Sequence, residues 1–244
     1  QDPNQIEALY TLAKHIPLEA AKSVETLLDS TASPTPLFHF AKGELLHRVG
    51  DYAAAHAQFA RANAMEHRAQ TFDASQNRRA SAEIKDLFSQ DVEIAPPPPA
   101  DHPTPIFIVG LPRSGSTLLE NILFAHSQVS SLGEIGELGN AIRRLGALTF
   151  ATQKDALIHI QRSYLNAAPI KAVETPFFVD KYLGNFFHIG HIVHAFPTAR
   201  IVHAHRDLRA VAWSMFRQRF ADGQISFGYN PDDIIAFVDT YCDL

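Results

Sequence analysis

A single cysteine, Cys242, stands in the 244 residues, so no intrachain disulfide framework can form and nothing points to an oxidising compartment. Long apolar runs are also missing. No stretch approaches the ~20 residues that cross a membrane, and no signal-like segment opens the chain, so a cytoplasmic protein that avoids membranes is expected. Nor is there an excess of positive charge. Lys and Arg number 21 against 26 Asp and Glu, a formal net charge of −5, which gives no support to a general nucleic-acid binder and means that any anion site must be a local positive pocket. The 13 histidines include His188, His191 and His194 at every third position, and His203 and His205 alternating on a predicted strand. They lack the i, i+4 His pair with a glutamate found in helical zinc motifs, and no cysteine lies near, so no metal is expected. The 46% hydrophobic content is enough for the core of one α/β domain and a smaller unit.

The most informative stretch that is present runs from Pro105 to Leu119. Ile106 to Val109 read as a buried strand, Gly110 and Gly115 relax the backbone, and Thr117 to Phe124 resume with helical spacing. Unpaired N–H groups at the start of such a helix, with the positive end of its dipole, point at an anion. The spacing Gly110-x4-Gly115 matches a phosphate-binding loop of the Walker A kind, but Ser116 stands where that motif needs a lysine. A nucleoside triphosphatase or ordinary kinase is therefore disfavoured, and a glycine turn without a ligand is the plainer alternative.

The sequence PRSGST at Pro112–Thr117, after a strand, resembles the 5'-phosphosulfate loop of sulfotransferases. Two further segments carry the same resemblance. Thr198 to His205 read as a strand, followed by Arg206, Asp207 and a predicted helix over Leu208 to Phe220, with Ser214 eight residues after Arg206. Phe178 to Phe186 contain the pattern DK-x-x-x-NF around Lys181. The chain thus resembles the tetratricopeptide-repeat-containing bacterial sulfotransferases over residues 105 to about 240, taking in Phe196-Pro197 and the stretch Phe220 to Tyr229, and is more distantly similar to tyrosylprotein sulfotransferases. That resemblance implies 3'-phosphoadenosine 5'-phosphosulfate (PAPS) as sulfuryl donor and adenosine 3',5'-bisphosphate (PAP) as product. It implies Arg113, Ser114, Gly115, Ser116 and Thr117 at the phosphosulfate, Arg206 and Ser214 at the 3'-phosphate, and Lys181 and Arg113 stabilising the charge that develops during transfer. It further implies a hydroxyl or amine acceptor, whether peptide, carbohydrate or small molecule. The chain departs from the family pattern at Ser116, usually threonine, and at Leu208, usually proline.

Sulfuryl transfer needs a base for the acceptor's proton. Ser131 to Leu138 supply Glu134 and Glu137, and Glu134 lies as far beyond the loop arginine as the catalytic glutamate of the tyrosylprotein enzymes. Glu137, three residues on, is expected to share a helical face with it, and His203 or His205 are the other candidates.

Residues 36 to 69 match one tetratricopeptide unit, with Gly43, Gly50, Tyr52, Ala55, Phe59 and Ala62 at its small and aromatic positions and Gly50–Tyr52 as the turn. Helices are expected before it over 4 to 15 and 17 to 30, and after it within 70 to 90. So short an array offers either a groove for a peptide partner or a packing or homodimerising element, and the second role is favoured. Ala95-Pro-Pro-Pro-Pro-Ala100 marks a stiff boundary. The expected organisation is a tetratricopeptide-like helical module (1–94), a Pro-rich linker (95–104) and a three-layer, P-loop-like α/β sulfotransferase domain with a mainly parallel sheet (105–244). The chain starts at Gln1 without methionine and stops at Leu244 inside a helical pattern, so an excerpt of a longer protein is expected, with that domain incomplete at its C-terminus. The alternatives are a kinase-like phosphotransferase using the same loop and a helical interaction protein whose nucleotide domain is inactive.

Overall fold

The computed structural model describes residues 3–29, 34–89, 91–146, 148–220 and 225–244. Ser30, Gln90 and residues 221–224 of the expected segments therefore lie outside the described residues. In chain order the elements are α1 (Pro3–His15), α2 (Ala21–Asp29), α3 (Pro36–Arg48), α4 (Tyr52–Ala69), α5 (Ala74–Leu87), β1 (Thr104–Gly110), α6 (Ser116–Phe124), β2 (Val129–Ser131), α7 (Glu137–Leu145), α8 (Gln153–Ala167), β3 (Phe177–Asp180), α9 (Ile189–Ala195), β4 (Arg200–Ala204), α10 (Leu208–Phe216) and α11 (Pro231–Asp243). Contacts gather the chain into two units, Gln1–Ala74 with Leu208–Val238 and Ser75–Asp207 with Asp239–Leu244.

The first unit is helical. Thr35 caps α3 by accepting the Phe38 N–H, Asp51 caps α4 by accepting that of Ala54, and the chain turns between them at Gly50, whose φ is +88°. Gly43 carries no side chain because the Phe59 ring fills the place a Cβ would take, 2.6 Å away. Phe40, Phe59, Ala55 and Ala62 are fully buried between the pair. The end of α10 is fastened onto these helices. Arg217 donates to Glu44 through Nε (3.2 Å) and Nη2 (2.7 Å), and the Trp213 ring meets Phe59 edge-on. α10 stops at Phe216, four residues short of the expected Phe220, for a reason the local sequence does not carry. The Phe216 carbonyl, which would close the next helical turn, accepts from Asn63 Nδ2 at 2.7 Å, while the Phe220 N–H donates to the Tyr229 hydroxyl.

The second unit is built on a sheet of order β2-β3-β1-β4, in which every neighbouring pair is parallel. This is the mainly parallel α/β sheet that the sequence implied, and strands buried on both faces explain the continuous apolar run of β1. β2 was not anticipated, since only Val129 of its three residues is apolar. Alternation along the strands sorts side chains to two sides. Ile106, Ile108 and Val179 pack with Leu119 and Leu123 of α6 on one face. Phe107 and Phe178 meet Tyr164 of α8, and Phe107 meets Phe196, on the other. The proline stretch is pinned to this unit: Ala95 N–H donates to the His194 carbonyl at 2.8 Å and Gln161 Nε2 to that of Pro96 at 2.8 Å.

His188 and His191 each keep a buried Nδ1 with no hydrogen-bond partner among the described residues, and burial first, then neighbouring positive groups, pushes both imidazoles down to about 4. Burial pushes Asp180 up to about 6. Between roughly pH 4 and 6 the unfolded chain therefore binds two protons that the fold refuses at these histidines, while the fold binds one at Asp180 that the unfolded chain does not. Stability contributed by the histidines is lost as pH falls from 6.5 towards 4, and Asp180 offsets about half of that loss. Urea unfolding across this range is expected to show the parent losing stability as pH falls with a net slope of about one proton, ~1.4 kcal/mol per pH unit, and a His188→Asn/His191→Asn variant reversing that slope, because of the three groups only Asp180 then remains. An identical dependence in parent and variant would contradict the assignment.

Candidate functional site

All four strands are parallel, so the loops leaving β1, β2, β3 and β4 emerge at one edge of the sheet, the carboxyl edge where α/β folds bind ligands. The first of these loops is shaped by a close approach. Gly110 has φ +149° and lies so near β4 that an added Cβ would stand 2.5 Å from the Ala204 carbonyl oxygen. Three residues on, Arg113 takes φ +69°, a left-handed conformation that is uncommon for a residue with a side chain. Gly115, at φ +95°, then opens α6, and no side chain caps that helix. Its first N–H groups are left for a ligand or water.

Arg206 explains how the strained turn is held. Its Nη1 donates to the Arg113 carbonyl at 3.1 Å, tying the loop after β1 to the residues after β4. The Ser114 Oγ is buried with no hydrogen-bond partner among the described residues, and Ser116 is buried at the helix start, while Arg113, Gly115, Thr117 and Arg206 are exposed. A buried hydroxyl without a partner and an uncapped helix start are what a bound phosphate or sulfate would satisfy.

Lys181 follows β3, and alternation places its side chain on the α6 side of the sheet, next after Val179 in the same row. It is 8% exposed. Its Nζ donates to Glu134 Oε1 and lies 3.7 Å from Glu120 Oε2. Asp180, on the opposite face, accepts from the Tyr164 hydroxyl (3.0 Å) and from the Tyr182 N–H (2.9 Å), the second closing a turn that ends the strand at the lysine. The loop bearing Glu134 is laid against β3 by Leu132 N–H to the Val179 carbonyl (3.0 Å) and Lys181 N–H to the Gly133 carbonyl (2.8 Å).

Glu134 and Glu137 do not share a helical face. Glu134 precedes α7, which begins at Glu137 after Gly136 at φ +55°, and Glu137 accepts from Asn140 Nδ2. Of the histidine candidates, His203 Nε2 is hydrogen-bonded to the Tyr241 hydroxyl, and His205 is exposed. Ser214 lies on α10 and is half-buried in the helical unit. Among the described residues, no group of three or more His, Cys, Asp or Glu could hold a metal ion, and no helix is long and apolar enough to cross a membrane.

Residues 105–243, more than half of the chain, match the model of a family described as Sulfotransferase family. The chain belongs to the sulfotransferase family. A protein of Aquifex aeolicus (strain VF5), described as an uncharacterized protein, is 29% identical over 234 residues, an alignment covering 88% of this chain and 30% of the relative. The chain therefore spans about a third of that relative's length, and the alignment reaches well into the helices before the sulfotransferase match.

Two residues of this sulfotransferase edge escaped the sequence reading. Glu120 is 9% exposed, and its Oε1 accepts from the Ser131 hydroxyl. A signal for Glu120 was present: Ser116, Leu119, Glu120 and Leu123 form one stripe of α6 at helical spacing, so the carboxylate falls among inward-facing residues.

Proposed function

We propose that this chain carries the donor site of a PAPS-dependent sulfotransferase of the tetratricopeptide-containing kind, acting by direct in-line transfer on a hydroxyl or amine. The observation that carries this reading is the ion pair of Lys181 and Glu134, in which the lysine ammonium also lies 3.7 Å from Glu120, one turn into α6. A cation suited to a leaving oxygen and a carboxylate suited to an acceptor's proton stand together where the fold offers an anion cradle. Arg113 to Thr117 would hold the phosphosulfate through backbone N–H groups and the Ser114, Ser116 and Thr117 hydroxyls. Arg206 and Ser214 would hold the 3'-phosphate. PAPS supplies, when bound, a sulfuryl group and a bisphosphate leaving group. Lys181 and Arg113 offset the charge that develops, and Glu134, once its pair with Lys181 opens, takes the acceptor's proton. Its side chain is 53% exposed and reachable by an acceptor. Cationic side chains serve this chemistry without a metal.

As units of sequence, residues 1–94, 95–104 and 105–244 are then a helical module, a linker and the sulfotransferase domain. The fastening of Arg217 to Glu44 and of the Phe216 carbonyl to Asn63 supports a packing role for the module, since its helices already hold a segment of their own chain. The kinase-like alternative is weakened by Ser116 in place of the phosphate-reaching lysine.

PAP is expected to raise the melting temperature, by roughly 2.7 kcal/mol of stabilisation at a hundredfold excess over its Kd. Arg206→Ala should remove most of that shift without unfolding the ligand-free protein, although the loop at Arg113 loses its tie to the residues after β4. Equal stabilisation by adenosine 5'-phosphate would overturn the assignment of Arg206 and Ser214. Radiolabelled PAPS offered to a mixture of peptides, carbohydrates and small metabolites then identifies the acceptor class.

A further inference from the structure

Lys181 has two carboxylates, and they are not equivalent. Glu134 projects from a loop, with its side chain half exposed, whereas Glu120 is on α6 with a side chain 12% exposed. Glu120 is also oriented: one oxygen accepts from the Ser131 hydroxyl, whose Oγ in turn accepts the Gly133 N–H at 3.2 Å, and the other faces the Lys181 ammonium at 3.7 Å. The charge and the loop backbone are thus tied together through one serine.

We infer that Glu120 is the positioning residue of Lys181, a fixed counter-charge that keeps the ammonium at the end of β3 when Glu134 leaves it to receive the acceptor's proton. This inference rests on the sulfuryl-transfer reading above. With Glu134 as sole partner, the lysine would follow the exposed carboxylate or swing to solvent each time the pair opened. A buried partner on α6 holds it on the side of the sheet where that helix begins at the anion cradle. Glu120 itself is poorly placed to be the base, because it is buried and one of its oxygens is committed to Ser131.

The test uses the parent protein, E120Q, E120D, K181M and E120Q/K181M. Glutamine keeps the volume and the acceptor for Ser131 but removes the charge. In ligand-free urea unfolding, E120Q is expected to destabilise the parent but to recover stability when Lys181 is already methionine, because the buried carboxylate then has no counter-charge. PAP affinity, measured by calorimetry, should hold or tighten in E120Q, since the pocket has lost a negative charge. Release of PAP from PAPS in the acceptor mixture should slow by about 10- to 100-fold in kcat with the KM for PAPS preserved, and E120D should recover part of the loss. Additive stabilities, unchanged turnover in E120Q, or a turnover loss matched by lost PAP affinity would each overturn the inference. Coupled stabilities in a parent that neither binds PAP nor consumes PAPS would instead overturn the sulfuryl-transfer reading, and the positioning role with it.

Discussion

Glu134→Gln is expected to cut turnover by ~10²–10⁴, the usual cost of a lost general base, while leaving donor binding intact. The substitution keeps the side chain's shape and removes only its ability to take a proton. Its effect should therefore fall equally on kcat and kcat/KM, not on the KM for PAPS. Stability should change little, because the side chain is half exposed and such ion pairs contribute at most ~1 kcal/mol. Glu137→Gln is the control. Glu137 opens α7 and is held by Asn140, so its loss should cost far less than that of Glu134. Single-turnover measurements of sulfuryl transfer, in which chemistry limits the rate, decide the matter. Near-parental turnover in the Glu134 variant would move the base to Glu137, or to His203 or His205, both of which are exposed.

Lys181→Met is expected to lose both activity and stability. Removing a donor aimed at developing charge in a partly buried site typically costs ~10²–10³ in turnover. The stability loss has a separate cause. Glu120 would remain buried beside Ser131 with its counter-charge gone, and breaking a buried pair from one side costs about 3–5 kcal/mol. Glu134 escapes that penalty by turning to water. Urea unfolding and saturating-donor turnover on the same preparation should therefore both fall. Parental stability together with lost turnover would show that Glu120 does not depend on Lys181.

The parts of this site visible in the sequence were those set by local chain chemistry. The run Ile106 to Val109 with Gly110 and Gly115 carries the local signals of strand, turn and helix, and a parallel sheet is what strands separated by helical segments form. Lys181 was visible through the pattern around it, whose aspartate ends the strand by accepting the Tyr182 N–H. Interactions between distant residues were not legible. The Phe216 carbonyl is claimed by Asn63, 153 residues away, so the end of α10 could not be read from α10. Arg206 reaches the Arg113 carbonyl across 93 residues, and Arg113 adopts a backbone conformation that its residue type does not announce. Glu120 was hidden for a further reason: a lone glutamate in a helix is ordinarily a solvated side chain, and its burial became meaningful only once β2 and β3 brought Ser131 and Lys181 to it.

Calorimetric titration of the protein with PAP and with ATP, each with and without magnesium, tests the donor assignment most directly. If the chain holds a PAPS donor site as proposed, it should bind PAP as well in the presence of a chelator as with the metal, and more tightly than ATP, because arginine and hydroxyl donors would then select the 3'-phosphate. Magnesium-dependent binding of ATP with no heat from PAP would contradict it, and would return the loop between β1 and α6 to the phosphotransferases.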